Sequence, residues 1–341
     1  MSLVSMAFHR LFPNIYSTVY ICVNFNANSC NVSVTIKKSG GILSEETKVF
    51  KIVNYQISMD VVKYIRKLQN KYLFSYLCIM SKTNDDILLP TNDKARFESY
   101  GVSVRDYRML KVMNSNICLS KVEIAKFESI FSKSLGIDYI FSAYFVLYIR
   151  AKELFDTNLR LFVLLEKESM CLMVASTKGI RYGAIFDLHE EEVPLPPTKP
   201  IDSNVNKTLD KELSTSSLDL EDLGELEDLD TDLDDLDSID FDFKDDGKTT
   251  DASNAISLDI IQDLGHISSV TLKLQDAIED FYHNKLYEAE FLYEVVVFAS
   301  YNMPVQSLMH IKQGLLLDIR SELLDVNKEM IKLAELELGG K

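Results

Sequence analysis

The chain has 341 residues, 47% of them hydrophobic, with no Trp, which is enough apolar material for two lobes with real cores. Its formal net charge of −16 is concentrated: residues 219–246 carry fifteen acids and one base, the rest 37 acids and 35 bases, so no basic face is expected for nucleic acid. Five scattered cysteines without a CxxC pair exclude a disulfide framework, the N-terminus lacks the marks of a signal peptide, and the longest apolar run, 137–149, is too short to cross a bilayer; a cytoplasmic protein without a membrane span is expected.

The first elements form a meander. Residues 16–26 and 31–38 read as strands joined by the polar turn 26–30, and Ser39-Gly40-Gly41 leads to a third strand at 46–53. Ser58-Met59-Asp60 opens a helix to about residue 71, with Val61, Val62, Ile65 and Leu68 on one face. A strand follows at 73–80. Residues 84–107 show no usable period, and 108–113 read as a strand. Ser120 and Glu123 have capping-box spacing for a helix to about 135, closed by Gly136. Residues 140–152 are apolar and aromatic enough for a buried helix. Residues 159–165 and 170–176 form a hairpin around Glu166-Lys167-Glu168-Ser169, and 179–188 adds a third strand. This second meander parallels the first, so the chain reads as two similar halves.

Composition then changes. Four prolines at 194–200 mark an extended linker, 203–217 is polar, 219–246 is acidic and 247–254 is polar again, so 190–254 reads as an unstructured acidic insert. Within it Leu220, Leu223, Leu226, Leu229, Leu233 and Leu236, followed by Phe241 and Phe243, recur at near-helical spacing. Like charges at i,i+4 would oppose a free helix there. A partner groove with an apolar floor and a basic rim would supply what is missing; a plain solvated spacer is the alternative. Order returns with a helix at 256–282, a strand at 293–300, the turn Ser300-Tyr301-Asn302, a helix opened by Pro304, and an amphipathic helix at 321–338.

Catalytic motifs are missing from the sequence. His9, His189, His266, His283 and His310 have no metal-ligand spacing, and no HExxH, Walker loop, GxGxxG or GxSxG occurs.

Two meanders at equivalent positions, a helix, then strand, turn, Pro and helix is the element order of the actin-like (ribonuclease H-like) α/β fold. The helix end Leu274-Gln275-Asp276-Ala277-Ile278-Glu279-Asp280-Phe281-Tyr282 with strand 293–300, and the stretch 121–152, resemble the PilM family. PilM is the cytoplasmic actin-like component of the type IV pilus inner-membrane platform, related to FtsA and the GspL cytoplasmic domain. The resemblance covers 16–188 and 256–319. It implies a first lobe at 1–158 with an inserted subdomain, and a second at 159–189 plus 255–341.

In the family, glycine hairpin tips cradle phosphates, aspartates hold magnesium, and a Gly-Gly admits adenosine. Here the corresponding positions are Asn24 and Asn26, Glu166 and Lys167, and Ser300 and Tyr301. The acidic insert takes the place of a family subdomain that walls the cleft. These departures imply no cofactor and a scaffold without ATPase activity. The resemblance also implies binding of the cytoplasmic tail of a PilN-like inner-membrane protein and self-association in a ring or array. The machine would be a pilus or type II secretion platform, or a flagellar motor accessory structure. The alternatives are an active ATP-binding relative with diverged motifs, or an acidic adaptor working through the insert.

Overall fold

The computed structural model describes residues 16–53, 56–132, 134, 136–188 and 250–339, with side chains in the last stretch from residue 265 onward. The acidic segment and its leucines and phenylalanines lie outside the described residues.

The most apolar strands sit at the centres of two five-stranded sheets. β1 (Thr18–Phe25) is sandwiched between β2 (Ser29–Lys38) and β4 (Phe74–Ser81), with β3 (Gly41–Lys51) and β8 (Tyr139–Ser142) at the edges, in the order β3-β2-β1-β4-β8. β9 (Leu159–Leu165) occupies the same place in the second sheet. Around it lie β10 (Ser169–Ser176), β11 (Gly179–Asp187), β12 (Leu292–Ala299) and β13 (Asp318–Leu323), ordered β11-β10-β9-β12-β13. In both sheets the first three strands are an antiparallel meander and the last two run parallel to the first. This repeated order is the actin-like fold.

A central strand must be apolar on both faces. β1 divides Val19, Ile21 and Val23 from Tyr20 and Cys22, the first set facing α1 (Met59–Lys71) and α2 (Lys121–Ile130). β9 divides Leu161, Val163 and Leu165 from Phe162 and Leu164 in the same way. The outer set packs with α4 (Thr250–His283) and α5 (Val305–Leu315). The inner sets of both sheets meet in one core around α3 (Ala143–Ala151) and α6 (Val326–Gly339). The two lobes are therefore held by a shared apolar layer. The last helix crosses back to the first sheet: Lys37 pairs with Glu335 at 2.6 Å, and Asn327 Nδ2 donates to Ser33 Oγ at 2.8 Å. It contacts β1 and β4 as well as packing in the shared core.

Between β4 and β8 lies a small subdomain with its own sheet, β5 (Ile87–Leu89), β6 (Tyr107–Val112) and β7 (Ser115–Ser120), ordered β5-β7-β6 around Leu89, Phe97, Val102 and Cys118. Residues 84–107 lack a period because a three-residue strand, two 3₁₀ turns, Lys94–Arg96 and Glu98–Tyr100, and connecting turns follow one another, each too short to show one. Asn114 Oδ1 accepts the Ile180 N–H at 2.8 Å and Tyr100 OH donates to Leu286 O at 2.9 Å, tying this subdomain to the second lobe. A Cβ on Gly179 would meet Asn114 Oδ1 at 2.2 Å, so this join needs glycine.

Three elements differ from the sequence expectations. Residues 139–142 are a strand before α3, and 115–120 a strand before α2. Residues 318–323 are β13 rather than the start of the final helix, because Leu316, at φ 55°, breaks the chain after α5 in a left-handed conformation. Ser120 caps α2 without the expected side-chain hydrogen bond.

Asp86 is 3% exposed between the first sheet and the subdomain. Burial pushes its carboxyl up to about 6, opposed by the Ser81 and Ser142 hydroxyls and the Ser120 backbone; none of these forms a well-aligned hydrogen bond with either oxygen. Protonated Asp86 is thus the form the fold favours. Its stabilisation is complete below the ordinary pKa of 3.8 and is lost as pH rises through about 6. Asp86→Asn keeps a neutral group there at every pH. The variant should gain about 2–3 kcal/mol on the native chain between pH 4 and pH 7 in urea denaturation; parallel pH profiles would contradict this.

Candidate functional site

The C-terminal ends of parallel strands are where open α/β sheets hold ligands. In this chain those ends, from both lobes, converge on a side-chain network. Asn24 closes β1, Lys82 follows β4, and Glu166 follows β9. Lys82 Nζ donates to Glu166 Oε2 at 2.9 Å and to Asn26 Oδ1 at 2.6 Å. Asn24 Nδ2 donates to Glu166 Oε1 at 2.5 Å, and Ser169 Oγ to Glu166 Oε2 at 3.1 Å. The two charged side chains are only 10% and 7% exposed. Next to them the Ala27 N–H at the first hairpin tip donates to Glu168 Oε2 at 2.6 Å.

The two hairpin tips therefore bind each other. Each turn closes without glycine, Asn26 N–H donating to Ser29 O at 2.8 Å and Glu166 N–H to Ser169 O at 2.9 Å. A buried carboxylate requires donors on both oxygens and a cation nearby; Asn24, Ser169 and Lys82 provide them. The neutral amide at position 24 is part of this arrangement. An aspartate there would set a second carboxylate against Glu166 and offer no donor. Of the sequence-selected positions, Asn24, Asn26 and Glu166 come together, while Lys167 is exposed.

Ser300 and Tyr301 lie apart from this network, after β12. Ser300 N–H donates to Leu165 O at 2.9 Å. The Tyr301 hydroxyl sits 3.2 Å from His266 Nε2 on α4, and its ring packs on the outer core of the second lobe. Close by, α5 presses on α4: a Cβ on Gly314 would meet Thr271 Cγ2 at 2.4 Å, and Gln275 Nε2 donates to Gly314 O at 2.9 Å.

Sequence reading missed Lys82, and named Glu168 in the second hairpin without singling it out. Both are ordinary charged residues locally; only their place at strand ends marks them. A cavity of 680 Å³ remains beside the network, lined by Phe25, Met80, Phe127 and Ile130 with Lys126 and Glu168. Asn26, Lys82 and Ser169 of the network also line it. Among the described residues no cluster of His, Cys, Asp and Glu has metal-binding geometry.

A second concavity lies between the subdomain and β8. It measures 320 Å³ and is lined by Met109, Leu110, Leu119, Ile124, Tyr139, Phe141 and Phe145, with Arg108 and Glu337. β8 is the outer strand of its sheet, so one row of its backbone groups is left for an added strand.

Removing one partner of a buried pair leaves the other uncompensated. Lys82→Met should cost about 3–5 kcal/mol in chemical denaturation. Glu166→Gln placed on top of it should recover much of that loss, giving a coupling energy of about 1–3 kcal/mol. Additive effects would show that the two side chains do not interact in solution.

Comparison with known proteins follows the same two halves. No curated protein matches the chain in sequence. Among solved structures, a PilM–PilN type IV pilus biogenesis complex is similar at TM-score 0.49 and 9% identity, covering 94% of each chain. A protein from Bacteroides thetaiotaomicron with an actin-like ATPase fold and unknown function scores 0.45 at 7% identity, covering 92% of this chain and 95% of its own. Ethanolamine utilization protein EutJ from Carboxydothermus hydrogenoformans scores 0.39 at 8% identity, covering 93% and 89%. At these levels the repeated strand order, not the likeness, carries the fold assignment. Residues 16–148 match the family model described as Domain of unknown function (DUF8569). Residues 161–339, more than half of the chain, match a second model, and the protein belongs to that family, Domain of unknown function (DUF8341).

Proposed function

We propose that this protein is a PilM-related scaffold without ATPase activity, in which an internal carboxylate replaces the nucleotide phosphates between the lobes. The observation that supports this most is the Glu166 network. The resemblance puts phosphates between the two hairpin tips, and here Glu166 stands between them with its own cation, Lys82, and its own donors, Asn24 and Ser169. A phosphate would have to displace a satisfied buried carboxylate and would meet its negative charge. Tyr301 with His266, and the tight α4–α5 contact, fill the region where the resemblance puts adenosine.

With the lobes fixed, the working surfaces are external. The concavity beside β8 suits an extended tail, since the strand edge offers backbone hydrogen bonds while Leu110, Tyr139, Phe141 and Phe145 offer apolar contact. The cytoplasmic tail of a PilN-like inner-membrane protein is the partner this reading names. The chain would then be peripheral to the membrane through that partner, within a pilus, secretion or flagellar assembly, and would associate with further copies of itself.

The test is recovery of partners from detergent extracts with a tagged full-length chain. One membrane protein with a short cytoplasmic tail should be recovered equally with and without ATP. Leu110 is 40% exposed, so Leu110→Glu should fold and lose that partner. Deletion of 190–254 should retain it. The opposite pattern, loss on deletion and retention in Leu110→Glu, would favour an adaptor acting through the acidic segment.

A further inference from the structure

The first sheet ends on β3 (Gly41–Lys51), eleven residues long. Outer strands in soluble proteins are usually short, bulged or broken by Pro, because their free backbone groups invite another strand. β3 is long, free of Pro and regular over most of its length, and its remaining guards are charged side chains, Glu45, Glu46, Lys48 and Lys51. Its register shift against β2 is confined to the end near Ile36 and Lys37, and pairing is regular from Ser44↔Ile36 to Lys51↔Ser29. Every residue except Phe50 is exposed, including Val49 at 63%. This strand therefore presents a regular ladder of unpaired groups, with apolar side chains beside it.

Its charges are arranged for one particular partner. Lys48 lies 4.9 Å from the ring centres of both Phe50 and Tyr64. Among the described residues, Glu45, Glu46 and Lys48 form no ion pair. A strand that pairs antiparallel with its own copy does so about a two-fold axis. Facing residues must both turn their backbone groups outward or both inward, so the axis has to pass through a residue rather than between two. Centred on Glu46, it sets two Glu46 side chains face to face. Centred on Lys48, it opposes two Lys48 side chains. Centred on Thr47, it pairs Thr47 with Thr47 and sets Glu46 opposite Lys48 on both sides. Opposite charges and Thr–Thr pairs are favourable cross-strand neighbours.

We infer that β3 is a self-association edge, pairing antiparallel with β3 of a second copy in the Thr47-centred register and joining two five-stranded sheets into one continuous sheet. The contact is independent of the interlobe network and of any partner at β8. As an isologous contact it closes at two copies; a ring would require a further interface.

Sedimentation of the full-length chain over a concentration series tests this, with circular dichroism melts to confirm folding. The native chain should dimerise. Glu46→Lys and Lys48→Glu should each weaken the dimer by about tenfold or more, because each sets like charges opposite one another. The double reversal, Glu46→Lys with Lys48→Glu, should restore it. Thr47→Cys should give a disulfide-linked dimer on mild oxidation, since the native cysteines are buried and facing Cα atoms in a ladder lie about 4.5–5.5 Å apart. A native chain that stays monomeric, a dimer indifferent to both single reversals, or a double reversal that fails to recover the dimer would each overturn the inference. The first would leave β3 for a strand of another protein, and the second would place the interface elsewhere.

Discussion

The contact between Lys82 and Glu166 sets the relation between the two halves of this molecule. Two charges removed from water gain little unless further hydrogen bonds satisfy them. Here Asn24 and Asn26 from the first hairpin and Ser169 from the second do so. The pair therefore forms only when β1, β4 and β9 all end where they do. Behind it, α3 and α6 fill one core with apolar side chains from both sheets. The ionic contact fixes the mouth of the cleft and the apolar layer fixes its base, so the lobes have two independent reasons to stay together.

Much of the architecture was legible from the pattern of apolar residues. β1 and β9 are apolar on both faces because they are central strands, and each meander followed from short polar turns. The failures have local causes. β8 has only four residues, too few to show a period before the apolar run of α3 takes over. β13 was hidden because Leu316 adopts a left-handed conformation without being glycine. The small subdomain was unreadable where 3₁₀ turns replace regular elements. Its attachment rests on contacts such as Asn114 with Ile180, 66 positions apart.

The site was half legible. Asn24, Asn26 and Glu166 stood out because resemblance picks out the hairpin tips, but their mutual contact depends on Lys82, which carries no local signal. Asn24 and Glu166 lie 142 positions apart; no spacing rule connects them. Tyr301 was visible as a bulky residue in a turn, whereas its neighbour His266 stood out only as one of five histidines without metal-ligand spacing. The turn after β12 brings Tyr301 within 3.2 Å of His266 on α4, 35 positions away.

Hairpin tips that bind each other and outer strands at β3 and β8 are the features on which the proposed scaffold role rests. β8 combines an edge with aromatic walls, as a tail-binding groove requires, and β3 combines an edge with self-complementary charge. Both edges belong to the first sheet, whereas the proposed loss of nucleotide binding rests on the interlobe network. Isothermal titration of the full-length native chain with ATP and magnesium measures this directly. A flat titration is the expected result, with Glu166 retaining its cation and donors; saturable micromolar binding would contradict the internal-carboxylate reading.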